Sequence, residues 1–294
     1  MKKTILGVNH QFVYPESMTN AEIHTETIKK IATNENVDAL DCWLWRGENA
    51  KEERAALLDS GKVINYNIGD RFGEEIILPS SPKQADKDRA YDIMMREIEY
   101  GLSLNTKKII FGSGPDMPED HQGAIERYGE FILRLAKNLP DDVWFALEPT
   151  DWDIDKHFLF GRLNETTDFI YNVRKSGFER IGMLLDQCHV ALMHETLESG
   201  VKGAKDTLIH IHLGNCVLKD KNSPYYGDKH VAWDYPGGEY TSEDGIRFLN
   251  LLKDAGYFEK ENNTVTFEQR PIEGMSGEDS LIEWVKVWNR FLAG

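Results

Sequence analysis

The sequence predicts a single α/β domain, a (β/α)8 barrel, from three observations. Short β-branched or apolar runs alternate with longer stretches of helical period. The 294 residues suit one barrel of roughly 250 residues plus loop insertions. Neither GxGxxG nor GxxxxGK[ST] occurs, so the Gly-rich phosphate loop expected of a doubly wound open sheet, the rival architecture, is missing.

The predicted strands are Ile5–Val8, Ala39–Leu44, Val63–Ile68, Lys108–Phe111, Trp144–Glu148, Gly182–Asp186, Leu208–His212 and Thr264–Glu268. Helical periods lie between them. Asn20–Ala32 places Ile23, Thr27, Ile28 and Ile31 near one face, and Asp86–Leu102 carries Tyr91, Ile93, Met94, Ile98 and Leu102. Tyr128–Asn138, Ser242–Ala255 and Ser280–Leu292 repeat the pattern, the last with Leu281, Trp284, Val285, Trp288 and Phe291. Eight β runs, each followed by a helix, favour a parallel sheet closed into a barrel. No linker or long repeat divides residues 1–294, which read as one domain. The longest irregular stretch, Leu213–Tyr240, is rich in Gly, Pro, Asp and aromatics, and a loop of that length in a compact fold is usually functional.

Composition narrows the function. Hydrophobic residues are 40% of the chain, enough for a sizeable core. The net charge of −16 disfavours phosphate backbones and anionic lipid, so neither nucleic acid nor a membrane is the expected partner. Cys42, Cys188 and Cys216 are odd in number and widely spaced, which suits a reducing cytoplasm better than a disulfide framework. The opening MKKTILGVNHQF has too short an apolar run for a signal peptide, and no stretch approaches the ~20 apolar residues of a membrane span. A cytoplasmic location is therefore expected.

The strand ends carry the chemistry. VWFALEP delivers Glu148, IGMLLD delivers Asp186, LIHIH delivers His212 and TVTFEQ delivers Glu268. Four consecutive strands thus place an ionisable, metal-competent side chain at the mouth where barrel active sites form. Three carboxylates and an imidazole in a concave site repel one another and lose hydration, and a divalent cation removes that penalty. Oxygen ligands with one nitrogen suit Mn²⁺ first, with Mg²⁺, Co²⁺ or Zn²⁺ possible. Without thiolates, the set is not a structural zinc site.

ALEPTDWDIDKHFLFG, MLLDQCHVALMHET, HIHLGNC, YYGDKH and TFEQRP, in this order, resemble the xylose isomerase-like TIM barrels. That superfamily holds sugar-phosphate isomerases and epimerases, ketose 3-epimerases, inosose dehydratases and zinc AP endonucleases. C-glycoside deglycosidase catalytic subunits are similar barrels, paired with a small β-rich subunit. The resemblance implies that Glu148, Asp186, His212 and Glu268 are the four metal ligands. It implies that His189 contacts a substrate hydroxyl or a second metal. It also implies that Glu148 and Glu268 move the proton next to a carbonyl, through a metal-stabilised enediolate.

The departures are specific. NYNIGD and FGSGPD contain none of the further histidines that the nucleases use on strands two to four. Asp228-x-His230 is present, as in nucleases and some isomerases that bind a second metal, although loop-shaping hydrogen bonds or direct substrate contact are the favoured explanation. Asn215 replaces an acidic residue often seen after the strand-seven histidine, and Leu218 stands where ketose epimerases place an arginine.

Other residues are candidates by position. His10, at the end of strand one, could reach a sugar. Trp43, Trp45 and Arg46 follow strand two, where rings stack on a sugar or aglycone or pack beneath the loop. Asp151, Asp153, Asp155, Lys156 and His157 form a charged loop that is either solvated or folded back over the metal. Arg270 could pair with Glu268 or bind an anionic group. His210 reads as an interior histidine one layer below His212, and His194 as a helix-surface residue. The expected function is a metal-dependent isomerase or epimerase of a keto-sugar. The alternative is a lyase cleaving 3-oxo-C-glycosides, with a nuclease and a non-catalytic barrel behind it. The sequence leaves the oligomeric state open between a single chain and a homo-oligomer, with a small partner subunit if the protein is the lyase.

Overall fold

Runs rich in Val, Ile, Leu and Phe fit strands that are covered on both faces, and they form a closed parallel barrel in sequential order. The computed structural model describes residues 4–69, 75–261 and 263–294. Residues 1–3, part of the segment tested for a signal peptide, and Asp70 of NYNIGD lie outside the described residues. The strands are β1 (Ile5–Asn9), β2 (Ala39–Cys42), β3 (Val63–Asn67), β4 (Lys108–Phe111), β5 (Trp144–Leu147), β6 (Ile181–Asp186), β7 (Leu208–Leu213) and β8 (Thr264–Phe267). β1 closes on β8 through Ile5 opposite Thr264 and Val8 opposite Phe267.

The main helices are α1 (Ala21–Ala32), α2 (Glu48–Asp59), α3 (Gln84–Leu102), α4 (His121–Ala136), α5 (Leu163–Lys175), α6 (Gln187–Leu192), α7 (Leu197–Ala204), α8 (Ser242–Asp254) and α9 (Gly277–Ala293). Their apolar stripes pack on the strands' outward residues, as in Trp284 of α9 on Phe267 of β8, ring centres 5.7 Å apart. Asn20 starts α1 by accepting from the backbone N–H groups of Glu22 and Ile23. α4 begins seven residues before the predicted Tyr128, because its first turns are polar and carry little apolar period. Among the described residues no helix is long and apolar enough to cross a membrane.

Strand ends differ from expectation by a residue or two. β5 and β8 stop one residue before Glu148 and Glu268, yet both residues keep the ladder's hydrogen bond. Glu148 N–H donates to Phe111 O and Glu268 N–H to Leu213 O, each at 3.0 Å. β2 ends at Cys42 rather than Leu44, where the Leu44 N–H turns to the Tyr66 hydroxyl.

Gly182 fixes the contact between β6 and β7. A Cβ there would stand 2.6 Å from Ile209 Cγ2 and 2.7 Å from Thr207 O. Gly182→Ala is therefore expected to lower stability by roughly 1–3 kcal/mol, the usual cost of overpacking. Urea unfolding measures it, and an unchanged midpoint would contradict the packing described.

Candidate metal centre

The register places the four strand-end residues at one level. Asp186 is the pairing partner of His212, and His212 pairs with Thr266, two residues before Glu268. Glu148, Asp186, His212 and Glu268 are all buried, and one ligand atom from each lies within 4.8 Å of the others. His212 Nδ1 is 2.6 Å from Glu268 Oε2, 3.5 Å from Glu148 Oε1 and 3.9 Å from Asp186 Oδ2. Asp186 Oδ1 accepts the Cys188 N–H at the start of α6, which turns Oδ2 toward the cluster. Glu268 Oε1 accepts from Asn9 Nδ2.

Glu148 Oε1 and Asp186 Oδ2 are buried with no hydrogen-bond partner among the described residues. Two orphaned carboxylate oxygens facing an imidazole nitrogen are what a divalent cation would satisfy, so the donor set fits one. The electrostatics agree. Burial, with Glu268 beside it, pushes the Asp186 carboxyl up to about 8. Burial acts against Glu148 as well, but His212 and His189 hold its carboxyl below the ordinary value. Burial lowers the His212 pKa, yet Glu268, Asp41 and Glu148 outweigh it and raise the imidazole well above its usual value.

Asp41 of β2 supports the centre from below. Its Oδ2 accepts from His212 Nε2 at 2.8 Å and from His210 Nε2 at 2.6 Å. A proton fixed on Nε2 leaves the Nδ1 lone pair for a metal. Desolvation by itself would raise the Asp41 pKa, but the two histidines hold it far below the carboxylate range. His210 is the interior histidine its spacing predicts. Its pKa is lowered to about 4, by burial first, and its Nδ1 faces Lys108 Nζ at 3.4 Å. Asp41→Asn is expected to weaken metal binding by about 10–100-fold. Calorimetric titration with Mn²⁺ reads this, and an unchanged affinity would remove Asp41 from the centre.

Beside the centre, Cys188, His189, Asp228 and His230 form a second buried group. Asp228 Oδ1 lies 3.1 Å from His189 Nε2 and 2.8 Å from His230 Nε2. His189 Nδ1 lies 3.4 Å from Glu148 Oε1, so His189 bridges the two groups. Burial lowers the His189 pKa, but Asp228, Asp186 and Glu148 together raise it well above the usual value. The loop that brings Asp228 here is pinned by Asn215, whose side chain bonds Ala232 O, Tyr240 O and the backbone N–H groups of Cys216 and Tyr240. Gly214 permits the close approach, since a Cβ there would meet Asp186 Oδ1 at 2.8 Å and His230 Nδ1 at 3.1 Å.

The remaining candidates divide. Lys156 does fold back, its Nζ 3.5 Å from Asp228 Oδ2. Buried Asp151 holds that turn by accepting the backbone N–H groups of Ile154, Asp155 and Lys156, while Asp153, Lys156 and His157 stay exposed. His157 turns away to Trp152 O, and His194 pairs with Asp153 at the surface. His10 is fully buried, with Nε2 2.8 Å from Thr27 Oγ1 and its ring edge-on to His24 at 4.7 Å, so its side chain is directed into α1. Trp45 packs on Trp43 at 5.2 Å and on His24 at 5.4 Å, while Arg46 pairs with Glu75. Arg270 Nε donates to Lys229 O, so it braces the Asp228 loop rather than pairing with Glu268.

Sequence reasoning missed Asp41, Asn9 and Lys108. Asp41 and Lys108 had a signal, since a charge inside a short apolar strand demands a partner.

Comparison with known proteins follows the same lines. No curated protein matches the chain by sequence. Solved structures of the same fold include a D-psicose 3-epimerase from Clostridium cellulolyticum H10, at 18% identity and TM-score 0.65, covering 99% of this chain and 92% of that one. A 3-keto-D-glucoside 4-epimerase from E. coli matches at 13% identity and TM-score 0.66, covering 99% and 100%. A family 2 AP endonuclease from Brucella melitensis matches at 16% identity and TM-score 0.67, covering 94% and 96%. At such identities these likenesses show the shared fold. The family described as xylose isomerase-like TIM barrel matches residues 34–286. With the closed barrel, that match covers most of the chain, and the protein belongs to the xylose isomerase-like TIM barrel family.

Proposed function

We propose that the protein is a divalent-metal-dependent isomerase or epimerase of a keto-sugar or sugar derivative, acting by proton transfer next to a carbonyl. The carrying observation is that Glu148 and Glu268, from β5 and β8 on well-separated sides of the barrel, converge on His212 Nδ1 with Glu148 Oε1 unpartnered. Two carboxylates on different sides of one planar intermediate are what stereochemical inversion at carbon needs.

Glu148, Asp186, His212 and Glu268 would hold the cation, for which Mn²⁺ is our first assignment. When bound, it supplies Lewis-acid polarisation of the substrate carbonyl. Glu148, whose carboxyl is held ionised, takes the proton from the carbon beside that carbonyl on the carboxylate oxygen that the cation would leave free. Glu268 returns a proton to the other face from its own carboxyl, positioned by Asn9 on Oε1. His189, held as imidazolium by Asp228, donates to a substrate hydroxyl, and Lys156 and His230 complete that side of the pocket.

A second reading is a lyase acting on 3-oxo-C-glycosides by the same proton abstraction. The 3-keto-D-glucoside 4-epimerase of the same fold is named for a 3-oxo sugar, the substrate type that both reactions would share. A screen of keto-sugars and 3-oxo-glycosides with Mn²⁺, reading both epimerised sugar and released aglycone, separates the two. Turnover of neither class would refute both.

A further inference from the structure

The interior of such a barrel is ordinarily filled by layers of branched apolar side chains. Ile110 on β4 follows this rule, in a buried apolar cluster with Ala146 and Leu184. Lys108, two residues earlier and on the same face of the strand, does not. It belongs to a connected polar group with Asp41, Asn65, His210, Thr264 and Thr266, all of them buried. The bonds of this group run from β2 to β7 and from β4 to β7 and β8, strands that are not neighbours in the sheet, so they cross the barrel beneath the metal centre. Burial pushes the Lys108 amine down to about 7, although Asp41 pulls the other way. An apolar side chain would fill the same space at least as well, because a buried charge is seldom a gain in stability.

The hydrogen bonds of the group have one direction. Burial opposes ionisation of Asp41, but its two histidine partners keep the carboxyl ionised. An ionised carboxylate only accepts, so His210 Nε2, 2.6 Å from Asp41 Oδ2, carries a proton. A neutral imidazole that donates from Nε2 accepts at Nδ1. Lys108 Nζ stands 3.4 Å from that Nδ1 and supplies the donor. The amine is itself held in place, since it also donates to Thr264 Oγ1 at 3.0 Å and the Thr106 hydroxyl donates to Lys108 O at 2.8 Å. Asn65 Nδ2 donates to Asp41 Oδ1 at 2.7 Å, which leaves Oδ2 for His210 and His212.

We propose that Lys108 is a positioning residue of the metal centre, acting from the opposite end of β4 through His210 and Asp41 on the ligand His212. Lys108 orients His210, His210 orients Asp41, and Asp41 keeps the His212 proton on Nε2 so that Nδ1 faces the cation. The inference rests on the metal centre assigned above and adds to it a side chain that touches none of the four ligands.

Two measurements on the full chain test it. Long-range proton–nitrogen NMR of the metal-free protein, with labelled histidine, reads which ring nitrogen of His210 carries the proton. The Nε2–H form is expected, with an Nδ1 resonance that moves toward that of an unbonded acceptor in Lys108→Met. A proton on Nδ1 in the wild type would overturn the proposal without need of a variant, and so would an Nδ1 resonance that Lys108→Met leaves in place. Calorimetric titration with Mn²⁺ is the second measurement. Lys108→Met is expected to weaken binding about tenfold, the low end for a group that orients a metal ligand. In an Asp41→Asn background the same substitution should cost about twofold or less, because its route to His212 runs through Asp41. Equal affinity in the wild type and Lys108→Met, or the full loss repeated in the Asp41→Asn background, would overturn the proposal and leave the metal centre standing. A wild type that takes up no Mn²⁺ would overturn the metal centre and this proposal together.

Discussion

Glu148→Gln is expected to abolish solvent deuterium incorporation into substrate and to lower kcat by about 10³-fold or more, with Glu268→Gln doing the same. General acid–base groups contribute about 10²–10⁴-fold each, and on the proposed function these residues would also hold the cation, so each loss falls at the upper end. The amide keeps the shape of the side chain but cannot take or return the proton. The two variants should differ in one respect. Glu268 is hydrogen-bonded by Asn9 and His212, whereas Glu148 Oε1 has no hydrogen-bond partner among the described residues. Glu148→Gln should therefore leave the fold nearly undisturbed, while Glu268→Gln also loosens His212. Deuterium exchange monitored by NMR gives the answer, and exchange retained in both variants would refute the proton-carrier role.

The second large effect is on stability. Mn²⁺ at about a thousand times its Kd should stabilise the protein by about 4 kcal/mol. For a chain of this size that corresponds to a rise in Tm of roughly 6–8 °C. The sign of the pH dependence follows from Asp186. Its carboxyl is raised from an ordinary value of 3.8 to about 8 in the fold. Between these values the metal-free folded state binds more protons than the unfolded chain. Its stability from this group is present at low pH and falls as pH rises toward 8. A cation displaces that proton, and the one held at His212 Nδ1. The Tm gain from Mn²⁺ should therefore grow from pH 6 to about 8. A gain that shrinks over this range would contradict the assignment of Asp186 as a ligand.

Much of this architecture was legible in the residues. All eight strands were, since β-branched runs between turn signals leave few alternatives. The convergence of the four strand-end residues was too, because the closed barrel brings consecutive strand ends to one rim. Side-chain direction off the strands was not. Spacing could not tell that His10 turns into α1, that Arg270 bonds a loop carbonyl, or that Asn215 pins the long loop. Those outcomes depend on residues far away in the chain. Asp41 was hidden for a related reason. ALDC reads as an ordinary buried strand until its partner histidines, some 170 positions later, are seen beneath the centre.

The central claim is that Glu148, Asp186, His212 and Glu268 hold one divalent cation. The most direct measurement is metal stoichiometry by elemental analysis after dialysis against Mn²⁺, on the wild-type chain and on Asp186→Ala. The account predicts about one equivalent bound in the wild type, lost in the variant while its circular dichroism is unchanged. No metal in the wild type, or an equal amount at equal affinity in Asp186→Ala, would contradict it.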